Sequence, residues 1–270
     1  MTIQGVAQPS GSESDSVLDE FADLVAGARI WVRYMDSRQL LNHPSIVLAA
    51  SGIQTAEIPH INFAAFHPDY CYTRRHATGA LTRHHYSSRI VAWSYRNGLP
   101  EEKVPPLFRK DIYRRLRYFN VWDSEVARLR SQFEHCCLDF REFFWAIKRE
   151  GVFMHTPEHP KAIVLTALAK VVCQSLGLDF DADNVRGEPR DLLGGMTWPV
   201  YPELAEEFSV KSSKLWMIND AWYDLRKFIS HMYSIYHDEG AAPEDIDIVV
   251  SEEEIALTDL VLSTEVGYLL

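Results

Sequence analysis

Val126, Leu129, Phe133, Cys136, Phe140, Phe143 and Ile147 follow one another in steps of three and four residues. That is the spacing of one face of an α-helix. Asp123 or Ser124 can cap its start, and Gly151 follows its end. A stripe this long needs a core to cover it, so its Phe and Cys residues belong to packing and not to chemistry. A second helix is predicted over 160–176, with Pro160 at its start and Gly177 as its stop. A third carries Trp222, Leu225, Ile229, Met232 and Tyr236 after the capping pair Asn219-Asp220. Further helices are predicted over 16–26, 86–97 and 108–119, and strands over 28–34, 58–63 and 247–250. The pattern specifies an α+β fold, predominantly helical with a small sheet. Residues 1–15 read as a flexible lead, 16–238 as one globular domain and 239–270 as an acidic C-terminal segment.

The charge is unevenly placed. Between Arg74 and Arg117 there are eleven Lys/Arg against three Asp/Glu, whereas 238–270 holds ten Asp/Glu and neither Lys nor Arg. An acidic segment of that density repels a phosphate backbone, which argues against general nucleic-acid binding. The basic stretch is suited to the phosphates of a small cofactor, or is a solvated helix face. No run approaches the ~20 apolar residues of a membrane span. The first sixteen residues lack the charged and apolar regions of a signal peptide. Cys71, Cys136, Cys137 and Cys173 show no CxxC spacing. Reduced thiols in a cytoplasmic protein are the expectation, and a zinc ribbon or disulfide scaffold is not.

Three polar runs stand out. In Phe153-Met154-His155-Thr156-Pro157-Glu158-His159-Pro160-Lys161 two prolines force a turn or a helix entrance around two histidines. Phe66-His67-Pro68-Asp69-Tyr70 repeats the theme, and His84-His85-Tyr86-Ser87-Ser88 adds hydroxyls to imidazoles. A carboxylate near His67 suits it to act as a general base, while a turn in which Asp69 bonds the backbone is the plainer alternative. His155 and His159 have the four-residue spacing of zinc ligands on a helix, but Pro157 interrupts it and no HExxH glutamate accompanies them. Ser87 is a candidate oxyanion donor or a helix cap; no GxSxG, Walker or GxGxxG motif is present. The tripeptide His67-Pro68-Asp69 also occurs in J-domain co-chaperones. There it follows a basic amphipathic helix, whereas here it follows the apolar Ile58-Pro59-His60-Ile61-Asn62-Phe63.

Pro59-His60-Ile61-Asn62-Phe63-Ala64-Ala65-Phe66-His67-Pro68-Asp69 resembles a signature of the WcbI family of capsular-polysaccharide biosynthesis proteins. So do Tyr86-Ser87-Ser88, Gly151 to Thr156 with His159-Pro160-Lys161, and Trp198-Pro199-Val200-Tyr201-Pro202-Glu203-Leu204-Ala205, in the same order. The resemblance implies acyl transfer from a coenzyme A thioester, acetyl-coenzyme A, to a sugar hydroxyl or other small acceptor, with no metal. For that reaction His67, Asp69, His85, Ser87, His155 and His159 are the candidates for the chemistry. Arg74, Arg75, Arg83 and Lys161 are the candidates for coenzyme phosphates. Members usually open with a strand leading into Gly-Asn-Cys-Gln. Here the nearest string is Gly5-Val6-Ala7-Gln8, and no cysteine precedes Cys71. An abbreviated N-terminal portion leaves two alternatives to the enzyme: a non-catalytic partner subunit, or a histidine-ligated metalloenzyme. Ile30, Val32 and Tyr34 alternate with Arg29, Trp31 and Arg33. A strand there with an unpaired edge predicts a homodimer or a heteromeric partner.

Overall fold

The computed structural model describes residues 15–36, 42–76, 78–181, 191, 193–238 and 242–269, with the side chains of 15–16, 83–85 and 268–269 outside the description. The chain opens with α1 (Asp15–Ala26), β1 (Ile30–Tyr34), α2 (Pro44–Ala49) and β2 (Gln54–Ile58). β1 and β2 pair in parallel, Ile30 opposite Gln54 through Tyr34 opposite Ile58. The strand predicted over 58–63 therefore lies upstream of its expected place. Beyond it, the amide of Phe63 leaves the ladder to reach the Pro157 carbonyl at 2.7 Å.

β3 (Tyr70–Arg75) and β4 (Leu81–Ser88) form an antiparallel pair that feeds α3 (Arg89–Arg96). β4 takes the first residues of the helix predicted over 86–97, because Ser88 caps α3 by accepting the Val91 amide at 3.2 Å. α4 (Lys110–Arg115) ends where Arg117 turns left-handed at φ 62°. The long apolar stripe is carried by two helices, α5 (Val121–His135) and α6 (Phe140–Lys148), not one. The chain breaks at Cys137, whose φ is 56°, and restarts where Asp139 accepts the Glu142 amide at 2.9 Å. The stripe is nonetheless core: Leu129, Phe133, Phe143 and Ile147 are fully buried.

The hairpin β5 (Met154–Thr156) and β6 (His159–Pro160) precedes α7 (Ala162–Ser175), after which Gly177 adopts φ 66°. Then come β7 (Met196–Thr197), α8 (Pro202–Phe208), β8 (Trp216–Ile218) and β9 (Ala221–Tyr223). Asn219 and Asp220, expected to cap a helix, have φ of 50° and 63° and make the β8–β9 turn instead. Asp224 caps the helix that follows, α9 (Leu225–Asp238), through the Lys227 amide at 2.9 Å. The chain finishes with β10 (Ile246–Val249) and α10 (Glu252–Leu269).

These elements group into two compact units. The first draws on Met1–Ile61, Arg128–Ile147 and Val164–Pro189. Leu18, Phe21, Val25, Trp31 and Ile46 make a cluster in it, held by the amphipathic face of α1. The second draws on Asn62–Ala127, Lys148–Ile163 and Arg190–Leu270. Phe63, Phe66 and Phe153 form its aromatic centre, with ring centroids 4.9 to 5.6 Å apart.

β10 and α10, set apart in sequence as an acidic segment, belong to the second unit. β10 extends the β3–β4 sheet, Asp247 lying opposite Arg74. Asp247 pairs with Arg74 at 3.5 Å and with His76 at 3.1 Å; Glu254 meets Arg89 at 2.8 Å and Glu253 meets Arg117 at 3.0 Å. Glu265 receives both Arg109 and Arg115. Much of the basic stretch is therefore neutralised from within the chain.

Candidate active site

The second unit brings the Phe153–Lys161 run and the Trp198 segment together. Trp198 joins them through its backbone: its amide donates to the His155 carbonyl at 2.7 Å, and its own carbonyl accepts from His67 Nε2 at 3.2 Å. Two of the predicted histidines are thus tied to one residue. The side chains of Arg83, His84 and His85 lie outside the described residues.

His155 sits on β5 with its side chain 13% exposed. Its Nε2 is 2.8 Å from Asp191 Oδ2, and its Nδ1 is 3.3 Å from the Thr197 hydroxyl. Burial works to raise the Asp191 carboxyl. The hydrogen bond from His155 and the amides of Ala162 and Leu193 outweigh it and hold that carboxyl below its ordinary range. Asp191 consequently carries its charge, fixes His155 with the proton on Nε2, and leaves Nδ1 as an acceptor towards Thr197. Gly194 permits the approach. A Cβ there would stand 3.1 Å from the Asp191 carbonyl and 3.6 Å from His155 Cε1. Asp191 and Thr197 were missed in the sequence, where the only signal was their place in a glycine-rich loop running into Trp198.

His67 has a different role from the one expected. The predicted partnership with Asp69 does not form: His67 bonds the Trp198 carbonyl, and Asp69 accepts from Tyr118 and Tyr201 at 2.7 Å each and from the Ile90 amide at 3.2 Å. Burial lowers the His67 pKa to about 3, so the ring is neutral and braces the Trp198 backbone just after β7. Burial raises the Asp69 carboxyl, against the hydrogen bonds of Ser88, Tyr118 and Tyr201 and the nearby Arg89 charge. Ser87 is also committed elsewhere, its hydroxyl 2.7 Å from that of Tyr236.

The buried His67 predicts an acid sensitivity. The unfolded chain protonates this ring near pH 6.5 and the folded one only near 3, so folding stability falls as pH drops through that window. The loss from this group is about 1.4 kcal/mol per pH unit. Burial also raises the Asp69 carboxyl, so the wild type is compared with His67→Gln to isolate the imidazole. In urea melts between pH 4 and 6.5 the variant should show a slope shallower by about that amount; equal slopes would refute a neutral buried His67.

His159 bonds Thr156 at 3.1 Å, and burial lowers its pKa. The hairpin, rather than a helix, carries His155 and His159, so the helical zinc spacing does not apply to them. Among the described residues no three His, Cys, Asp or Glu side chains are grouped to hold a metal. Lys161 donates to the Val152 carbonyl at 2.6 Å, and burial lowers its pKa, opposed by Asp191. Beside this group, Tyr72 and Tyr86 pair across the sheet with rings 5.4 Å apart, and the Tyr72 hydroxyl donates to Glu158.

A family model described as polysaccharide biosynthesis enzyme WcbI matches residues 21–181. The chain belongs to the WcbI family. The match includes β1 and β2, so the parallel pair at the start of the chain is part of the family region, although no cysteine stands before Cys71. This WcbI-family chain also resembles a solved WcbI structure with a TM-score of 0.64 and 12% identity, over 95% of this chain and 84% of that one. That structure is described as the native protein of a polysaccharide biosynthesis enzyme, without a disulfide bond between coenzyme A and one of its cysteines. No curated protein matches. All four cysteines here are free, and among the described residues no helix is long and apolar enough to cross a membrane.

Proposed function

We propose that the protein transfers an acyl group from a coenzyme A thioester to a hydroxyl acceptor in polysaccharide assembly, with His155 as general base. The observation that carries this reading is the Asp191–His155–Thr197 array. A carboxylate fixes the imidazole tautomer and leaves the opposite nitrogen free to take a proton, as general-base catalysis requires. Lys161 contributes positive charge beside it, available to a phosphate or to the thioester oxygen. Membership of the WcbI family, and a solved relative described with coenzyme A, support a coenzyme A thioester as the donor in this reading.

The purified chain, incubated with acetyl-coenzyme A, should release free thiol, faster with a sugar acceptor present. Neither thiol release nor coenzyme A binding would overturn the reading; binding without release would favour a non-catalytic partner subunit. If Arg74, Arg75 or Arg83 meets the coenzyme phosphates at the surface, calorimetry should show affinity falling steeply between low and high salt. Arg74 is already paired with Asp247, so salt-independent binding would return the basic stretch to its internal acidic partners.

A further inference from the structure

We propose that Thr197 is the nucleophile, and that the reaction passes through an acyl-threonine enzyme. The inference rests on the acyl-transfer reading and adds a covalent step to it. A threonine hydroxyl is a weak nucleophile at neutral pH and needs a base in contact with it. Thr197 Oγ1 lies 3.3 Å from His155 Nδ1, and the other end of that ring is 2.8 Å from Asp191. Hydroxyl, imidazole and carboxylate are therefore in line, in the order that lets the carboxylate stabilise the imidazolium once the hydroxyl proton has moved. A contact of this length is loose for a finished catalytic hydrogen bond, and such contacts tighten when substrate arrives.

Two further features fit a nucleophile better than a bystander. Thr197 is only partly buried, on a strand whose next residue is bonded to both the β5 backbone and His67. Gly194 puts no side chain against the His155 ring, where a Cβ would stand 3.6 Å from Cε1. The other hydroxyl proposed for the chemistry, Ser87, is fully buried against Tyr236. Cys71 is buried, and that burial pushes its thiol up, which disfavours a thiolate there.

Thr197 Oγ attacks the thioester carbonyl carbon while its proton passes to His155 Nδ1. The C–S bond then breaks, and the coenzyme leaves as a thiol after taking that proton. The acceptor hydroxyl next attacks the acyl-threonine, giving its proton to His155. Collapse of the second intermediate returns the proton to Thr197 and releases the acylated acceptor.

The test mixes the full-length protein with acetyl-coenzyme A in the absence of acceptor, quenches in acid, and maps acetyl groups by peptide mass spectrometry. An adduct on Thr197 is expected, with a burst of thiol equal to the enzyme present. Thr197→Ser should retain adduct and burst; Thr197→Val should lose both and slow turnover by about 10³-fold. Unaltered circular dichroism would show that the valine variant is folded. If it is not folded, the wild-type adduct and the serine variant decide the matter. Wild-type turnover with no adduct, or with the adduct at another residue, overturns the inference and leaves direct transfer under His155. Neither turnover nor adduct in the wild type overturns the acyl-transfer reading, and this inference with it.

Discussion

His155→Gln should lower acetyl-coenzyme A turnover by about 10²–10⁴-fold, the usual worth of a positioned general base. Glutamine keeps a polar group of similar reach but cannot accept and return a proton. The ring is 13% exposed on a short hairpin, so the variant should fold, and its melting temperature should stay close to that of the wild type. Asp191→Asn should also reduce turnover, since the amide no longer stabilises an imidazolium. The asparagine keeps one acceptor oxygen for the Ala162 amide at the start of α7. The measurement is steady-state thiol release, with coenzyme A affinity determined alongside it. A His155→Gln enzyme within about tenfold of wild type, with intact affinity, would remove His155 from the chemistry.

Asp69→Ala should cost about 3–5 kcal/mol, as removal of one partner from a buried charged network does. The carboxylate is 1% exposed and accepts from two tyrosine hydroxyls and the Ile90 amide. Alanine would leave those donors buried without an acceptor, each at a desolvation cost. It would also take a negative charge from beside Arg89, whose guanidinium is itself buried. Against a typical total stability of about 5–15 kcal/mol the loss is large. Asp69→Asn keeps the shape and one acceptor oxygen, and should cost less. Urea melts measure both; an alanine variant within about 1 kcal/mol of wild type would show that the network is dispensable.

Asp69 and His155 differ in how far away their partners lie. His67-Pro68-Asp69 looked like a catalytic pair because the residue types are right and adjacent in sequence. In the fold, Asp69 turns to tyrosines 49 and 132 positions away, and His67 turns to a carbonyl 131 positions away. The proline-framed run marks His155 as a candidate in the sequence. The partners of His155, 36 and 42 positions further on, carry no such mark. The basic stretch misled for the same reason, since its acidic partners came from β10 and α10 near the other end of the chain.

By itself the sequence determined the helical character of the chain, the buried stripe of Leu129, Phe133, Phe143 and Ile147, the β1 strand and the family motifs. These depend on spacings of two to four residues, which the backbone geometry of helix and strand imposes locally. Only the tertiary structure decided where the stripe breaks at Cys137, that Asn219-Asp220 turns a hairpin, and that Asp191 and Thr197 close on His155. Those outcomes depend on which distant carbonyls, carboxylates and side chains compete for the same buried donor. That competition is resolved only when the loops have packed.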